Sequence, residues 1–371
     1  MLQVLPSLIT GGVERGTVEI ARAVIEAEAT ALVASAGGPM VRQIERAGGI
    51  HVALPLTSKS PLGIWRNATA LEALIREHKV SLVHARSRAP AWSAWLACRR
   101  TGVPFVTTYH GTYGEGLPFK RRYNSIMARG RIVIAASQFI ADLVTTRHGV
   151  DPVRIRVIPR GVDPAVFNPA TVSGDRIARL ATEWRLPDRM RIVMLPGRLT
   201  AWKGHTVLLD AIARLDRRDV MCVFVGSHQG RYGYVRELEL QAERLGISER
   251  LRLAGTCDDM PAALRLADLV VHASTKPEAF GRVVIEAQAM GRPVIASDLG
   301  APVETVRHGE TGWRVRPNDP SALAAAIATA LDLDPTATLA MGQRARTTVP
   351  TVRAMQEATL DVYEAVLAEL A

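Results

Sequence analysis

Short apolar segments alternate with longer amphipathic segments along the whole chain, and this alternation restricts the fold more than any other feature. Predicted strands of the first half lie at 2–6, 29–34, 51–54, 81–84, 105–108 and 132–135, with predicted helices that include 15–26, 64–77 and 91–100. A second series of predicted strands lies at 192–195, 221–225, 251–253, 269–272, 293–296 and 312–315. This order implies right-handed crossovers and parallel sheets covered by helices on both faces.

A change of pattern separates the two series of strands. The segment 158–163 reads Ile-Pro-Arg-Gly-Val-Asp, and prolines continue to Pro169, which is typical of a linker. We therefore predict two doubly wound α/β domains that face each other, 1–165 and 166–352, followed by a helical segment at 353–371. Ligands of such sheets bind beyond the carboxyl ends of the strands, so we expect the site in a cleft between the domains.

The positive charge is concentrated in the first half of the chain. The formal net charge is +10; residues 1–165 hold 21 Lys and Arg against 11 Asp and Glu, whereas the remainder holds 25 of each. A basic half favours an anionic partner, which is a nucleic acid, an anionic membrane surface or an acidic acceptor; the alternative is a solvated surface that only aids solubility. With no membrane-length apolar run and no signal-peptide pattern, we expect a cytoplasmic protein.

In each domain, a glycine-containing segment follows the first predicted strand. Gly11-Gly12 allows a ligand to approach the backbone, and the helix behind it offers free N–H groups to an anion, although an ordinary strand–helix turn has the same composition. In the second domain, Arg198 and Lys203 offer charges that would neutralise a diphosphate leaving group; the alternative is two surface cations that flank a turn.

Two glutamates stand eight positions apart in the segment 277–286. Glu278 precedes a predicted helix, and Glu286 lies within it among apolar residues, where a carboxylate needs partners. Carboxylates accept hydrogen bonds from hydroxyl groups, so Glu286 suits a ribose and Glu278 a transferred sugar. The adjacent acids Asp258 and Asp259 lie at a predicted helix start and are interpreted as capping residues rather than metal ligands.

Taken together, these segments resemble the retaining GT-B glycosyltransferases of family 4. The resemblance rests on Gly11-Gly12, the Gly197–Gly204 segment, the Glu278–Glu286 pair and the segments 157–163 and 291–296, and it covers nearly the whole chain. Many members of the family have asparagine where this chain has Arg160. The basic segments described below resemble those of members that extend lipopolysaccharide core or other envelope glycolipids.

The resemblance implies two Rossmann-like domains: an N-terminal acceptor domain with the last helix packed on it, and a C-terminal donor domain. It implies a UDP- or GDP-sugar donor, no metal and no other cofactor, and transfer with retention of configuration. The catalytic residues that it implies are His110, Arg198, Lys203 and Glu278. The implied donor-binding residues are Gly11, Gly12, Thr256, Cys257, Phe280, Gly281, Arg282, Val283, Val284 and Glu286.

The acceptor is predicted to be a glycan or glycolipid. Two basic segments of the first half carry the prediction of an acceptor or anionic inner-membrane contact, through His84, Arg86, Arg88, Lys120, Arg121 and Arg122. A solvated basic face is the alternative.

Two other function classes stay open. One is a sugar-nucleotide epimerase on the same fold, which would turn over donor without acceptor. The other is a non-catalytic protein that binds a nucleotide sugar or another anionic ligand. Nucleic acid is not expected as a partner, because the chain has no recognised nucleic-acid-binding module and because Glu278 and Glu286 would repel a polyanion.

Overall fold

The computed structural model describes residues 1–9, 11–114, 116 and 118–369. The chain divides into two compact units. The N-terminal unit comprises Met1–Arg160 together with the residues from Val352 onward, and the C-terminal unit comprises Gly161–Thr351. Each unit is built around its own sheet.

The N-terminal unit contains a seven-stranded sheet in the order β3-β2-β1-β4-β5-β6-β7, with every pair parallel. Its strands are β1 (Leu2–Val4), β2 (Leu32–Ser35), β3 (Ile50–Ala53), β4 (Val83–Ala85), β5 (Phe105–Tyr109), β6 (Val133–Ala135) and β7 (Ile155–Val157). Its helices are α1 (Gly12–Glu26), α2 (Val41–Arg46), α3 (Pro61–Glu77), α4 (Arg88–Thr101), α5 (Pro118–Asn124) and α6 (Gln138–His148). The strand order reverses between β1 and β4.

The C-terminal unit contains a six-stranded parallel sheet in the order β10-β9-β8-β11-β12-β13. Its strands are β8 (Arg191–Pro196), β9 (Val220–Val225), β10 (Leu251–Gly255), β11 (Leu269–His272), β12 (Val294–Ser297) and β13 (Trp313–Val315). Its helices are α7 (Gly174–Glu183), α8 (His205–Arg214), α9 (Tyr232–Arg244), α10 (Met260–Leu266), α11 (Arg282–Ala289), α12 (Pro302–Thr305), α13 (Pro320–Leu331) and α14 (Pro335–Thr347). Here the order reverses between β8 and β11.

Local sequence explains where these elements begin and end. The central strands are buried on both faces, as expected for parallel strands covered by helices, and most of their residues are apolar. Ser60 caps α3 by accepting a hydrogen bond from the Gly63 amide, and Pro61 occupies the first helical position. Gly149 ends α6 in the left-handed conformation. Both sheets confirm the predicted doubly wound α/β class.

The last helix, α15 (Val352–Ala368), belongs to the N-terminal unit. Its residues Met355, Val362, Tyr363 and Val366 are buried in the same apolar cluster as residues of α1, β2 and β5. Leu370 and Ala371, which the predicted last helical segment included, lie outside the described residues.

Among the described residues, no single helix is long and apolar enough to cross a bilayer. Only α13 and α14 taken together reach that length and composition, and they are bent by 110°.

Candidate active site

The C-terminal unit brings a cation and a carboxylate together at the point where its strand order reverses. Lys203 follows β8 and Glu278 follows β11, which are adjacent strands of the sheet. The Lys203 Nζ atom lies 2.6 Å from Glu278 Oε1, and each side chain is 12% exposed. Because crevices at such reversals are the usual ligand sites of parallel α/β sheets, this pair lies at the candidate site of the unit.

A glycine makes the close approach of these two segments possible. Gly204 has φ +77°, and a Cβ atom at this position would lie 1.9 Å from the carbonyl oxygen of Ala273, the residue after β11. Any side chain would push the Lys203 segment away from β11. Gly204 therefore contributes directly to the Lys203–Glu278 contact.

Two further side chains contact the same carboxylate oxygen. The His272 Nε2 atom lies 2.7 Å from Glu278 Oε1, and the Ser274 hydroxyl donates a hydrogen bond to it. Burial by itself raises the pKa of Glu278, but His272 and Lys203 together outweigh it and hold the pKa below its usual range. Glu278 is therefore ionised at neutral pH and can only accept hydrogen bonds.

The second glutamate lies within α11, as predicted. Glu286 is 6% exposed, and its Oε1 atom lies 3.5 Å from Nε of Arg282, one turn earlier. Gly281 precedes the helix with φ +83°, a conformation that favours glycine, and Phe280 and Val284 are buried beside it, whereas Val283 is half-buried. The start of α11 thus follows Glu278 directly, and helix N-termini favour anions.

The remaining predicted donor residues of this unit differ in exposure. Arg198 follows β8 and is exposed, and its side chain makes no polar contact with the described residues. Thr256 is exposed and Cys257 is half-buried, both directly after β10.

Asp259 caps α10 by accepting a hydrogen bond from the Ala262 amide, which confirms the predicted capping role, and it also forms an ion pair with Arg176 at 2.6 Å.

The N-terminal unit has a corresponding meeting point, between the segments that follow β1 and β4. Gly11 and Gly12 are exposed at the start of α1, and Gly11 has φ +148°. One turn further, a Cβ atom on Gly16 would lie 2.9 Å from Nη2 of Arg86 and 3.1 Å from Nη1 of Arg160. Two guanidinium groups therefore pack against this turn of α1.

His110 lies at the end of β5 in contact with one of these cations. Arg160 donates from Nη2 to the His110 ring, contacting Nδ1 and lying 3.3 Å from Nε2. A guanidinium stays protonated, so the contacted nitrogen must be unprotonated. Burial, Arg160, Arg86 and His84 all lower the pKa of His110 well below its usual value, so the ring is neutral at neutral pH.

His84 and Arg86, which were predicted to contact an acceptor or an anionic membrane surface, lie inside the N-terminal unit and not at its surface. His84 is fully buried, with Nδ1 2.6 Å from the Tyr363 hydroxyl and Nε2 2.6 Å from the Thr108 hydroxyl. Arg86 is 1% exposed and donates to Oε1 of Gln3 at 3.1 Å. Both side chains point into the unit because β4 is a central strand and α15 covers it.

The other predicted acceptor residues lie at or near the surface. Arg88 is half-buried, donates to Asn124 at 2.7 Å and stacks on the Tyr113 ring at 4.2 Å. Lys120, Arg121 and Arg122 are exposed on α5. A depression of about 770 Å³ lies beside them, and its lining includes Arg121, Arg122, Arg129, Arg147 and His148. None of the described lining residues is acidic.

Sequence reasoning missed two side chains of the C-terminal site. His272 was interpreted only as the last residue of a predicted strand, and Ser274 was not considered. The signal that would have found them is a polar residue at the end of a buried strand and a second one two positions later, with Glu278 four residues after that.

Two family models together match most of the chain. The model described as glycosyltransferase family 4 matches residues 10–166, and that of the glycosyl transferases group 1 matches residues 178–348. A D-inositol 3-phosphate glycosyltransferase of Salinispora tropica is 32% identical over 97% of this chain and 82% of its own length. An alignment with a relative of the same name from Salinispora arenicola spans 64% of that protein.

Solved structures agree with these matches. A glycosyltransferase of Rickettsia africae is 34% identical with a TM-score of 0.91, over 99% of this chain and 98% of that one. Anabaena HepE, crystallised with UDP and glucose, is 26% identical with a TM-score of 0.86, over 98% of both chains. The chain therefore belongs to the group 1 glycosyl transferases of family 4 and has their GT-B fold.

Proposed function

We propose that this glycosyltransferase transfers a hexosyl group from a UDP- or GDP-sugar to a glycan or glycolipid acceptor, with retention of configuration and without a metal. The observation that carries the proposal is the Lys203–Glu278 pair at the strand-order reversal, followed directly by the start of α11. It sets an ionised carboxylate for sugar hydroxyls beside groups that favour phosphate. The UDP and glucose bound to Anabaena HepE support this choice of donor.

In the proposed reaction the enzyme positions the reactants and stabilises charge rather than supplying a nucleophile. The acceptor hydroxyl attacks the anomeric carbon from the face that the diphosphate leaves. The bond between that carbon and the diphosphate oxygen breaks, its electron pair leaves with the diphosphate, and a phosphate oxygen takes the hydroxyl proton. Arg198 and Lys203 offset the charge that develops on the diphosphate, so the step needs no metal.

His110 would act as a neutral hydrogen-bonding group near the transferred sugar. Arg160 donates to the unprotonated Nδ1, so the neutral ring carries its proton on Nε2 and can donate one hydrogen bond to a hydroxyl group. This arrangement suits orientation of a hydroxyl group better than transfer of a proton at neutral pH.

An anionic acceptor is the finer part of the proposal. Lys120, Arg121 and Arg122 are exposed beside a depression that also holds Arg129 and Arg147, and this basic surface suits anionic core sugars, phosphates or headgroups of the inner membrane. Lipopolysaccharide core and other envelope glycans are such acceptors. The curated relatives named D-inositol 3-phosphate glycosyltransferases favour a second candidate, a phosphorylated inositol.

The donor proposal is tested by thermal unfolding of the purified chain with UDP, GDP and ADP, with and without EDTA. One nucleotide should raise the melting temperature in both conditions, because a ligand of the folded state stabilises it by mass action. A folded Glu286→Ala variant should lose that increase, whereas Glu310→Ala, an exposed carboxylate of the same unit, should keep it. An EDTA-sensitive shift would contradict metal independence, and no shift with any nucleotide would favour a non-catalytic protein.

Transfer and acceptor class are tested by product analysis. The stabilising nucleotide's glucose or mannose derivative is incubated with lipopolysaccharide core oligosaccharide or with inositol 3-phosphate, and the linkage is determined by NMR. A new α-glycoside from an α-linked donor supports retention, whereas an epimerised donor formed without acceptor would identify an epimerase. A triple charge reversal at Lys120, Arg121 and Arg122 should raise the KM for the anionic acceptor and leave the KM for the donor unchanged.

A further inference from the structure

Every polar side-chain contact of Glu278 within the described residues is made by one of its two carboxylate oxygens. Oε1 receives Lys203 Nζ at 2.6 Å, His272 Nε2 at 2.7 Å and the Ser274 hydroxyl, whereas Oε2 contacts none of the described groups. A carboxylate oxygen has about two lone-pair sites, so three donors fill Oε1. The two oxygens are therefore not equivalent toward a ligand.

The three donors are held by rigid parts of the C-terminal unit. His272 is the last residue of β11 with a side chain 2% exposed, and Ser274 lies two residues further and is 1% exposed. Gly204 holds the Lys203 segment against Ala273, as described above. The packing around the buried His272 and Ser274 side chains restricts their rotation, and the backbone next to Lys203 is held close to β11.

The backbone of Glu278 is fixed as well. Its carbonyl oxygen accepts a hydrogen bond from the Ala301 amide at 3.0 Å, and the residue pairs with Gly300 in an isolated bridge. With its backbone and Oε1 both held, the carboxylate cannot rotate freely. Because Glu278 is ionised, all three neighbours must donate, and His272 carries its proton on Nε2.

We propose that His272 and Ser274 are positioning residues that, with Lys203, occupy Oε1 of Glu278 and leave Oε2 to bind one hydroxyl of the donor sugar instead of a diol. The inference rests on the proposed function, in which Glu278 contacts the transferred sugar. The donor site then discriminates sharply at one carbon of the sugar and weakly at its neighbour.

A set of monodeoxy donors measures this discrimination. UDP-glucose and its 2-, 3-, 4- and 6-deoxy analogues are used if UDP stabilises the protein, and GDP-mannose with its monodeoxy analogues if GDP does. One analogue alone should lose on the order of 10- to 100-fold in kcat/KM through Glu278, since that is the range for a hydrogen bond to a charged group. The Glu278→Gln variant should abolish most of that difference.

Variants at His272 and Ser274 test whether these residues orient the Glu278 carboxylate or only stabilise the fold. His272→Phe and Ser274→Ala should raise the donor KM and flatten the response to the critical deoxy analogue, because the carboxylate then rotates. The affinity for the free nucleotide should not change. His272→Gln and Ser274→Thr, which keep a donor group, should restore most of the discrimination, and His308→Gln, an exposed histidine of the same unit, should match the wild type.

The outcomes distinguish the two levels of the proposal. Equal losses for two neighbouring deoxy analogues in the wild type would overturn the single-hydroxyl inference while leaving Glu278 as a sugar ligand. No response of any analogue to Glu278→Gln would instead overturn the sugar contact and with it the proposed function of this residue. If His272→Phe does not fold, the Ser274→Ala and Ser274→Thr pair decides between the same outcomes.

Discussion

In the C-terminal unit, Lys203 after β8 contacts Glu278 after the neighbouring strand β11. In the N-terminal unit, Gly16 of α1, the helix after β1, packs against Arg86 after the neighbouring strand β4. Both meetings occur where the strand order reverses, between β8 and β11 and between β1 and β4. Lys203 is paired with Glu278, so the buried charges compensate. The Nε and Nη2 atoms of Arg86 make no hydrogen bond with the described residues.

Burial and neighbouring cations set the charge of the two histidines at the N-terminal meeting point. His84 and His110 of the N-terminal unit have pKa values well below the usual range, because burial and the cations Arg86 and Arg160 disfavour a further positive charge. The N-terminal meeting point therefore combines buried cations with neutral imidazoles, of which only His110 is partly exposed, and the C-terminal site combines an ionised carboxylate with a cation. The C-terminal combination suits sugar hydroxyls next to a phosphate.

The largest expected effect separates the two cations of the C-terminal site. Both Lys203→Ala and Arg198→Ala should lower kcat about 10²- to 10³-fold, the usual consequence of removing one group that stabilises developing charge. Only Lys203→Ala should also lower the free energy of unfolding, by about 2 kcal/mol, because it leaves the buried Glu278 without its cation. Arg198 is exposed, so its loss should change stability by less than about 0.5 kcal/mol.

Steady-state kinetics and urea unfolding of both variants check this. A near-normal rate in either variant would remove that residue from the donor site. Equal destabilisation by both would show that the Lys203–Glu278 pair does not compensate buried charge, and the contrast between the two units would then fail.

A second variant removes a cation from the N-terminal site. Arg160→Asn, which introduces the residue that many family members have, should raise the pKa of His110 toward its ordinary value of about 6.5. Burial, Arg86 and His84 still act on the ring and limit that rise. If the neutral ring is the active form, kcat should fall up to about tenfold between pH 7 and pH 5.5 in the variant but not in the wild type.

The pH–rate profile and the NMR titration of His110 report this change. Arg156→Gln is the matched control, since among the described residues the Arg156 side chain hydrogen-bonds only to the backbone carbonyls of Val153 and Ile155. A variant with unchanged profile and unchanged titration would mean that Arg160 does not set the charge of His110.

The fold could be predicted from the sequence because buried parallel strands appear as short continuous apolar runs. All twelve predicted strands are present within two or three residues of their bounds. The missed strand, β7, is a three-residue edge strand in which Arg156 and Val157 are exposed and the linker follows at once. Such a segment lacks the continuous apolar run that identified the others.

The sequence predicted the candidate site only in part, because a motif identifies a residue but not the residue that it contacts. Lys203 and Glu278 were both predicted, but their contact joins positions 75 apart, and the pattern gave no register for it. His84 and Arg86 were predicted to contact an acceptor or a membrane because they lie in a basic segment at the end of a predicted strand. Tyr363, 279 positions away, buries His84, and no local pattern contains that information.

The smallest expected effect concerns a buried histidine of the C-terminal unit outside the site. His205 is fully buried against Phe224 at 4.8 Å between ring centroids, and burial lowers its pKa to about 4. The unfolded chain, with a pKa near 6.5, binds this proton first, so stability is complete above about pH 6.5 and is lost as the pH falls toward 4. Between pH 7 and pH 6 the loss amounts to about 0.7 kcal/mol.

Hydrogen exchange of the buried amides of β9 isolates this unit from the rest of the chain, because it measures the opening of that strand directly. His205→Gln should remove the drop in protection between pH 7 and pH 6, whereas His308→Gln should retain it. If the drop persists in His205→Gln, the acid sensitivity of this unit comes from another group. In the N-terminal unit, buried histidines lie beside buried cations at the strand-order reversal. Such a result would mean that the buried histidine of the C-terminal unit does not control the acid stability of that unit.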